Sequence, residues 1–119
     1  MTDNTEATRI PTSLLDLVRD STHDGPVWSE TTEDLNVNLV VLRGGHTIER
    51  HVNSEVDVLL VGVEGTGVVT IDDRPELLAA GQLIVVPKGA SRPIAPGGAL
   101  FAYLTCHKRR SGLWPTRRA

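Results

Sequence analysis

The chain has 119 residues with a formal net charge of −3, which is the length of one domain with one modest core. Its single cysteine, Cys106, excludes an intramolecular disulfide and a cysteine-based metal cluster, and fits a reducing cytoplasm. No apolar run approaches the roughly 20 residues that span a bilayer, and residues 1–9 lack the apolar core of a signal peptide, so we expect a cytoplasmic protein and no membrane partner.

The N-terminal part of the chain predicts one short helix. The apolar segment 14–18 follows Ser13, and Ser13 and Asp16 have the spacing of a capping box. The stretch His23-Asp24-Gly25-Pro26 has the composition of a turn. We therefore expect a helix over residues 14–18 that is followed by a turn at 23–26.

From residue 26 onward the chain alternates short apolar runs with turn residues. Strands are expected around Trp28 and over 37–41, 47–53, 56–63, 68–71, 83–86 and 100–107. The turns between the later strands are predicted at 65–67, 72–73 and 87–89, where Gly, Asp and Pro cluster. Aromatic residues are only 3% of the chain, so Val, Leu and Ile must fill the core, which suits strands. Seven or eight short strands with this spacing predict an all-β closed barrel or sandwich.

Two of these strands place polar side chains on one face. In the strand 47–53, Glu49, His51 and Asn53 share a face, because side chains alternate across a strand. In the last strand Tyr103 shares a face with Thr105 and His107. This second stripe either adds polar groups to the mouth of a pocket or is a solvated sheet face.

Charge is spread unevenly along the chain. Residues 1–64 carry 12 acidic residues against 4 Lys and Arg, whereas residues 65–119 carry 3 against 8. The basic excess lies mainly in residues 108–119, which we interpret as a solvated tail or one docked on the acidic half of a partner subunit; nucleic acid is not expected. The domain organisation is therefore an N-terminal arm with a short helix (1–25), a β-barrel (26–107) and a basic C-terminal tail (108–119).

Two stretches resemble the two motifs of the cupin family. The first, GHTIERHVNSEVDVLLVGVEG, begins at Gly45 and ends at Gly65; the second, GQLIVVPKGASRPIAP, has Gly81, Pro87 and Gly89 in register. The resemblance covers roughly residues 36–105 and implies a double-stranded β-helix, or jelly-roll barrel. Because the glycines and the proline fix several turns at the family's spacing, the framework is a fairly specific signal.

The metal-ligand positions depart from the family pattern, in which three His and one Glu hold iron, manganese, nickel or zinc. His51 is kept, but Asn53 replaces the second His and Arg92 the third. The Glu position falls on Val58, or on Asp57 if the strand carries one extra residue. A guanidinium has no lone pair for a metal, so the resemblance does not imply a tight four-ligand site here and no cofactor is expected. A substitute site of His51, Glu49 and Asp57 for a divalent transition metal stays as an alternative, as does an internal ion pair of Arg92 with Asp57 or Glu49.

These residues support three hypotheses of function. The first is a barrel that binds a small organic anion, with Arg92 clamping a carboxylate and Glu49, His51, Asn53 and Tyr103 completing the pocket. The second is a metal-free isomerase of the epimerase kind found among cupins, in which His51 and Asp57 form a base and its orienting carboxylate. The third is a metal-dependent oxygenase or isomerase with a reduced ligand set. Fold does not decide among them, so whether the chain is an enzyme stays open.

The chain is also expected to form a homodimer. The resemblance and the charge asymmetry both favour self-association. We expect the apolar segment Leu14 to Val18 and the strand around Trp28 to pack on the sheet of the partner subunit.

Overall fold

A computed structural model describes residues 10–48 and 55–109 of the chain. These residues form one α-helix and six β-strands: α1 (Leu14–Asp20), β1 (Gly25–Thr31), β2 (Leu35–Arg43), β3 (Val58–Ile71), β4 (Arg74–Ala79), β5 (Leu83–Val86) and β6 (Ile94–Lys108). No helix in these ranges is long and apolar enough to cross a membrane. The all-β class and the short N-terminal helix are confirmed.

Helix α1 begins where its cap was predicted. The Oγ of Ser13 accepts a hydrogen bond from the backbone N–H of Asp16 at 3.4 Å, which satisfies one donor of the first turn. The helix ends at Asp20, two residues later than expected, and the hydroxyl of Ser21 donates to the carbonyl of Val18.

The apolar side of α1 lies on its own sheet. Val18 is buried together with Leu39, Val41 and Ala102, and Trp28 packs against the same cluster. This segment and the strand around Trp28 thus pack on the sheet of their own chain, and their packing on a partner's sheet stays a prediction. The outer face of β2 is apolar at Leu39 and Val41, and α1 covers it there.

Arg43, at the end of β2, forms hydrogen bonds that hold the segment between α1 and β1 in place. One terminal nitrogen donates to the carbonyl of His23 and to the carboxylate of Asp24, both at 3.1 Å. The other donates to the carbonyl oxygen and the hydroxyl of Ser21. His46 pairs with the same Asp24 carboxylate. This segment of the chain is thus held at the end of β2 by a multiply bonded guanidinium.

The strands form an antiparallel sheet in the order β1-β2-β6-β3-β4, with β5 also paired to β3. The two long strands, β3 and β6, close the barrel. The first half of β3 pairs with β5 and with the end of β6, whereas its second half pairs with β4 and with the start of β6. The barrel therefore has two walls: one contains the first half of β3 with β5, and the other contains the second half of β3 with β4. The strands β3 and β6 belong to both walls and bend at the corner where one wall passes into the other.

Glycines make this corner. The register between β3 and β6 shifts between Gly62 and Glu64 and again between Gly65 and Gly67. A Cβ on Gly65 would overlap the carbonyl oxygen of Leu100, and one on Gly67 would overlap the ring of Phe101. Here glycine allows two backbones to approach closely while the strand bends at a bulge.

The predicted turn at residues 65–67 is accordingly wrong. The segment is a bulged part of the continuous strand β3, because its backbone stays hydrogen-bonded to β6 on both sides of the corner. The described ranges contain six strands, of which β3 and β6 are longer than the sequence predicted. The predicted turn at Asp72-Asp73 is confirmed: the two residues join Ile71 to Arg74 and have φ of 47° and 70°, as a tight two-residue hairpin requires.

The barrel core lies between the two walls and consists mainly of aliphatic side chains. Buried side chains from β2, β3, β4, β5 and β6 meet there with the residues that precede β6; they are Val40, Leu42, Val58, Leu60, Val69, Leu78, Val86, Ala90, Ile94, Phe101 and Tyr103. Two of the chain's few aromatic residues are thus inside the barrel, both from β6.

Candidate functional site

Arg92 lies on a segment that the backbone holds from two sides. The N–H of Ser91 donates to the carboxylate of Asp72 at 3.1 Å, and the N–H of Asp72 donates to the carbonyl of Ser91 at 3.2 Å. Two residues further on, Ile94 and Ile48 exchange backbone hydrogen bonds of 2.8 and 3.1 Å. The position of Arg92 is therefore fixed by ladder bonds before and after it.

The side chain of Arg92 reaches the barrel interior. Its Nε is buried, and its positive charge acts on the phenol of Tyr103. Tyr103 is only 3% exposed and its ring stacks on that of Phe101, with 5.1 Å between the ring centroids. Burial raises the pKa of Tyr103 to about 12, and the charge of Arg92 opposes this rise. Two of the residues expected in the pocket, Arg92 and Tyr103, thus lie near each other inside the barrel.

The buried phenol makes the stability of the protein depend on pH in the alkaline range. Tyr103 is the only tyrosine, and it ionises near pH 10 when the chain is unfolded but near 12 when it is folded. The neutral phenol stabilises the folded state fully below pH 10, and this contribution is lost as the pH rises from about 10 to 12, by roughly 3 kcal/mol. Urea unfolding at pH 9 and at pH 11.5 should show the loss in the wild type. The isosteric variant Tyr103→Phe should lack this part of the slope; an equal slope in both proteins would contradict the assignment.

Polar side chains of β1 and β2 continue the inner surface next to Tyr103. The hydroxyl of Ser29 donates to Oδ1 of Asn38 at 2.6 Å, and Nδ2 of Asn38 donates to the hydroxyl of Thr105 at 3.3 Å. Asn38 faces the same side of β2 as the buried Val40, which pairs with Tyr103. Sequence reasoning did not name Asn38 as a site residue, although the alternation of polar and apolar residues in β2 carried the signal.

Asp57 and Val58 lie on opposite sides of the barrel wall. Val58 is 1% exposed and belongs to the interior core, so it is the residue that faces inward at the position where the family has Glu. Asp57 is exposed, and its carboxylate accepts the backbone N–H of Lys88 at 2.9 Å. Asp57 thus holds the turn that follows β5, and its ion pair with Arg92 stays a prediction.

The other expected site residues, Glu49, His51 and Asn53, lie outside the described residues. Across residues 10–48 and 55–109, no group of three or more His, Cys, Asp or Glu side chains is arranged to hold a metal ion. The two described residues at the family's ligand positions, Arg92 and Val58, have no lone pair to offer, so they do not fit the metal that the fold implies.

The polar stripe of β6 is not a solvated sheet face. Tyr103 is buried, and Thr105 and His107 are half-buried on the side of the strand that faces inward. The hydroxyl of Thr105 is bonded to Asn38, and the ring of His107 contacts the carbonyl of Lys108.

Several solved structures are similar to this one. The protein TT1209 of Thermus thermophilus is 24% identical, with a TM-score of 0.70 over 82% of this chain and 95% of that one. A cupin-2 domain protein of Shewanella frigidimarina is 19% identical, with a TM-score of 0.64 over 92% and 94% of the two chains. The cupin domain of Schizosaccharomyces pombe Cnp3 is 15% identical, with a TM-score of 0.65 over 71% and 60%.

No family model matches the sequence, and no curated protein matches it. Identities below 25% show the fold alone, so the site residues have to be judged on the geometry of this chain. At the level of fold, the resemblance seen in the two sequence motifs is confirmed.

Proposed function

We propose that this chain, which has the cupin fold, binds a small organic anion inside its barrel through the guanidinium of Arg92. The observation that carries the proposal is the position of this group: its Nε is buried and its charge acts on the buried phenol of Tyr103. A guanidinium is ionised at every pH at which the protein is folded, so a permanent positive charge is present beside an apolar core.

The chemistry of the neighbours suits a carboxylate. A guanidinium presents parallel N–H donors that match the two oxygens of a carboxylate, and charge-assisted hydrogen bonds of this kind are about twice as strong as neutral ones. The phenol of Tyr103 is protonated at neutral pH because its pKa is about 12, so it is available as a donor as well. The aliphatic core around the two groups would contact the hydrocarbon part of the ligand.

The described residues do not favour the isomerase in which Asp57 orients His51. Asp57 is exposed and its carboxylate already accepts the N–H of Lys88.

Replacing Arg92 with Gln should weaken the binding of small carboxylates by about 30-fold or more, since losing one partner of a buried charged pair costs about 2–5 kcal/mol. The measurement is the shift of the thermal unfolding midpoint in 10 mM acetate, succinate, citrate or benzoate, each compared with chloride at equal ionic strength. For a carboxylate with a Kd near 0.1 mM, the wild type should gain about 2.7 kcal/mol.

The control is Arg74→Gln, which removes an exposed arginine of β4 and should keep the full shift. Arg92→Lys should keep part of the shift, because the charge remains but the paired donors are lost. If Arg92→Gln keeps the wild-type shift, the anion binds elsewhere and the proposal fails.

A further inference from the structure

An open cavity of about 540 Å³ lies on the outer side of the barrel, where α1 meets the corner of β3. Val18 and Arg19 of α1 line it on one side, and Glu64 of β3 and residues 97–100 of β6 line it on the other. Val18 belongs to the apolar cluster between α1 and the sheet, and Leu100 packs against that cluster. The cavity is therefore separate from the barrel interior and from the anion site proposed there.

Glu64 directs a buried carboxylate oxygen to this side of the sheet. It pairs with Ala102 of β6, which is buried in the apolar cluster under α1, and directly paired residues of adjacent strands lie on the same face. The Oε1 of Glu64 is buried and has no hydrogen-bond partner within the described residues. Because a buried carboxylate oxygen is costly unless a donor bonds to it, this atom is suited to a donor group that enters the cavity.

Two arginines line the same cavity, and they differ in what they already bind. Arg43 uses both terminal nitrogens to bond the segment between α1 and β1, and the carboxylate of Asp24 offsets its charge. Arg19 is exposed in the last turn of α1. Within the described residues, Arg19 and Glu64 line one cavity but form no ion pair with each other. The cavity thus presents one positive and one negative group to a ligand.

We propose that this cavity binds a free α-amino acid with an aliphatic side chain, whose ammonium group lies on Glu64 and whose carboxylate lies on Arg19. An ammonium group has three N–H donors, one of which can bond to Oε1 of Glu64. A guanidinium presents paired donors that match a carboxylate. Val18 and Leu100 give the aliphatic side chain an apolar wall, and the volume of the cavity is in the range of small-molecule sites.

The two charges of the cavity favour a zwitterion over an ion of either sign. A carboxylate without an ammonium group would leave Oε1 of Glu64 without a donor. An amine without a carboxylate would be repelled by Arg19 with no compensating bond to it. A ligand that carries both groups satisfies both, and its zero net charge matches the cavity, where Glu64 balances Arg19 and Asp24 balances Arg43.

The first test is isothermal titration calorimetry of the full-length protein with L-alanine, L-valine and L-leucine. We expect at least one of them to bind with a Kd of about 1 mM or lower. Arg92→Gln should bind it equally well, because the barrel interior takes no part in this site. In Arg92→Gln, we also expect 4-methylpentanoate and 3-methylbutylamine, which are leucine without its ammonium group and without its carboxylate, to bind about 10-fold or more weakly than leucine.

The second test removes each charge of the cavity without changing the size of the side chain greatly. Glu64→Gln and Arg19→Gln should each weaken the binding of the amino acid by about 10-fold or more. The matched controls are Glu76→Gln and Arg74→Gln, which remove exposed charges of β4 and should keep the wild-type affinity. Arg19 is exposed, so its variant tests the site even if Glu64→Gln impairs folding, which circular dichroism reports.

Three results would overturn the proposal. They are the absence of binding of all three amino acids, an analogue with one charged group that binds as tightly as leucine, and a folded Glu64→Gln or Arg19→Gln variant with the wild-type affinity. A loss of amino-acid binding in Arg92→Gln would place the amino acid in the barrel and would overturn it as well.

Discussion

Replacing Gly65 with Ala should lower the free energy of unfolding by about 3 kcal/mol or more. Gly65 has a φ of 75°, a left-handed conformation that costs a side-chain-bearing residue about 1 kcal/mol or more. In addition, its Cβ would overlap the carbonyl oxygen of Leu100, which belongs to the paired strand β6 and cannot move without breaking ladder bonds. Urea unfolding followed by circular dichroism measures the loss.

The control for this prediction is Gly98→Ala on β6. Gly98 has no heavy atom within 4 Å of the place where a Cβ would be, and its φ is not positive, so its loss should be within about 1 kcal/mol of zero. Gly67→Ala should fall between the two, because the ring of the buried Phe101 must shift to make room. Equal losses at Gly65 and Gly98 would mean that the corner between the two walls is not closed as described.

Restoring the family's ligands should create a metal site in the barrel. The triple variant Arg92→His, Asn53→His and Val58→Glu would, with His51, supply three imidazoles and one carboxylate, and it would remove a guanidinium that at about 4 Å repels a divalent cation by several kcal/mol. We expect its affinity for nickel or zinc to exceed that of the wild type by at least 100-fold. Competition with a chromophoric chelator measures the affinity, and circular dichroism reports folding with and without metal.

The two open alignments of the Glu position provide the control. A second triple variant carries Asp57→Glu in place of Val58→Glu. Because Val58 faces the interior and Asp57 is exposed, the second variant should bind metal at least 10-fold more weakly than the first. If neither variant binds metal better than the wild type, the alignment of His51, Asn53 and Arg92 is wrong, and the anion site proposed at Arg92 loses its support as well.

The sequence predicted the parts of the fold that local chemistry determines. The cap at Ser13, the hairpin turn at Asp72-Asp73 and the strand at 83–86 depend on a few adjacent residues, and all are present in the structure. The conformation of the segment 65–67 could not be predicted from adjacent residues. Its two glycines are required by the close approach of Leu100 and Phe101, which are more than thirty residues away along the chain.

The same distinction applies to the candidate site. Alternation placed Tyr103, Thr105 and His107 on one face of β6, but whether that face looks inward depends on how β6 is shared between the two walls. The choice between Asp57 and Val58 is a shift of one residue in a strand that is apolar on both faces, and only pairing partners settle such a register. The motif spacing identified Arg92 as a candidate site residue. Its proximity to Tyr103 could be seen only in the folded structure.

Binding of an anion at Arg92 is tested most directly by the response of this side chain to an added carboxylate. In ¹⁵N-labelled protein, the Nε–Hε resonance of Arg92 can be assigned by its loss in Arg92→Gln and followed during titration with acetate, succinate, citrate and benzoate at constant ionic strength. We expect at least one of these anions to shift this resonance saturably, with a Kd of 1 mM or lower, and to leave the resonance of the exposed Arg74 in place. If none of them moves the Arg92 resonance, or if Arg74 shifts to the same extent, Arg92 is not an anion-binding group.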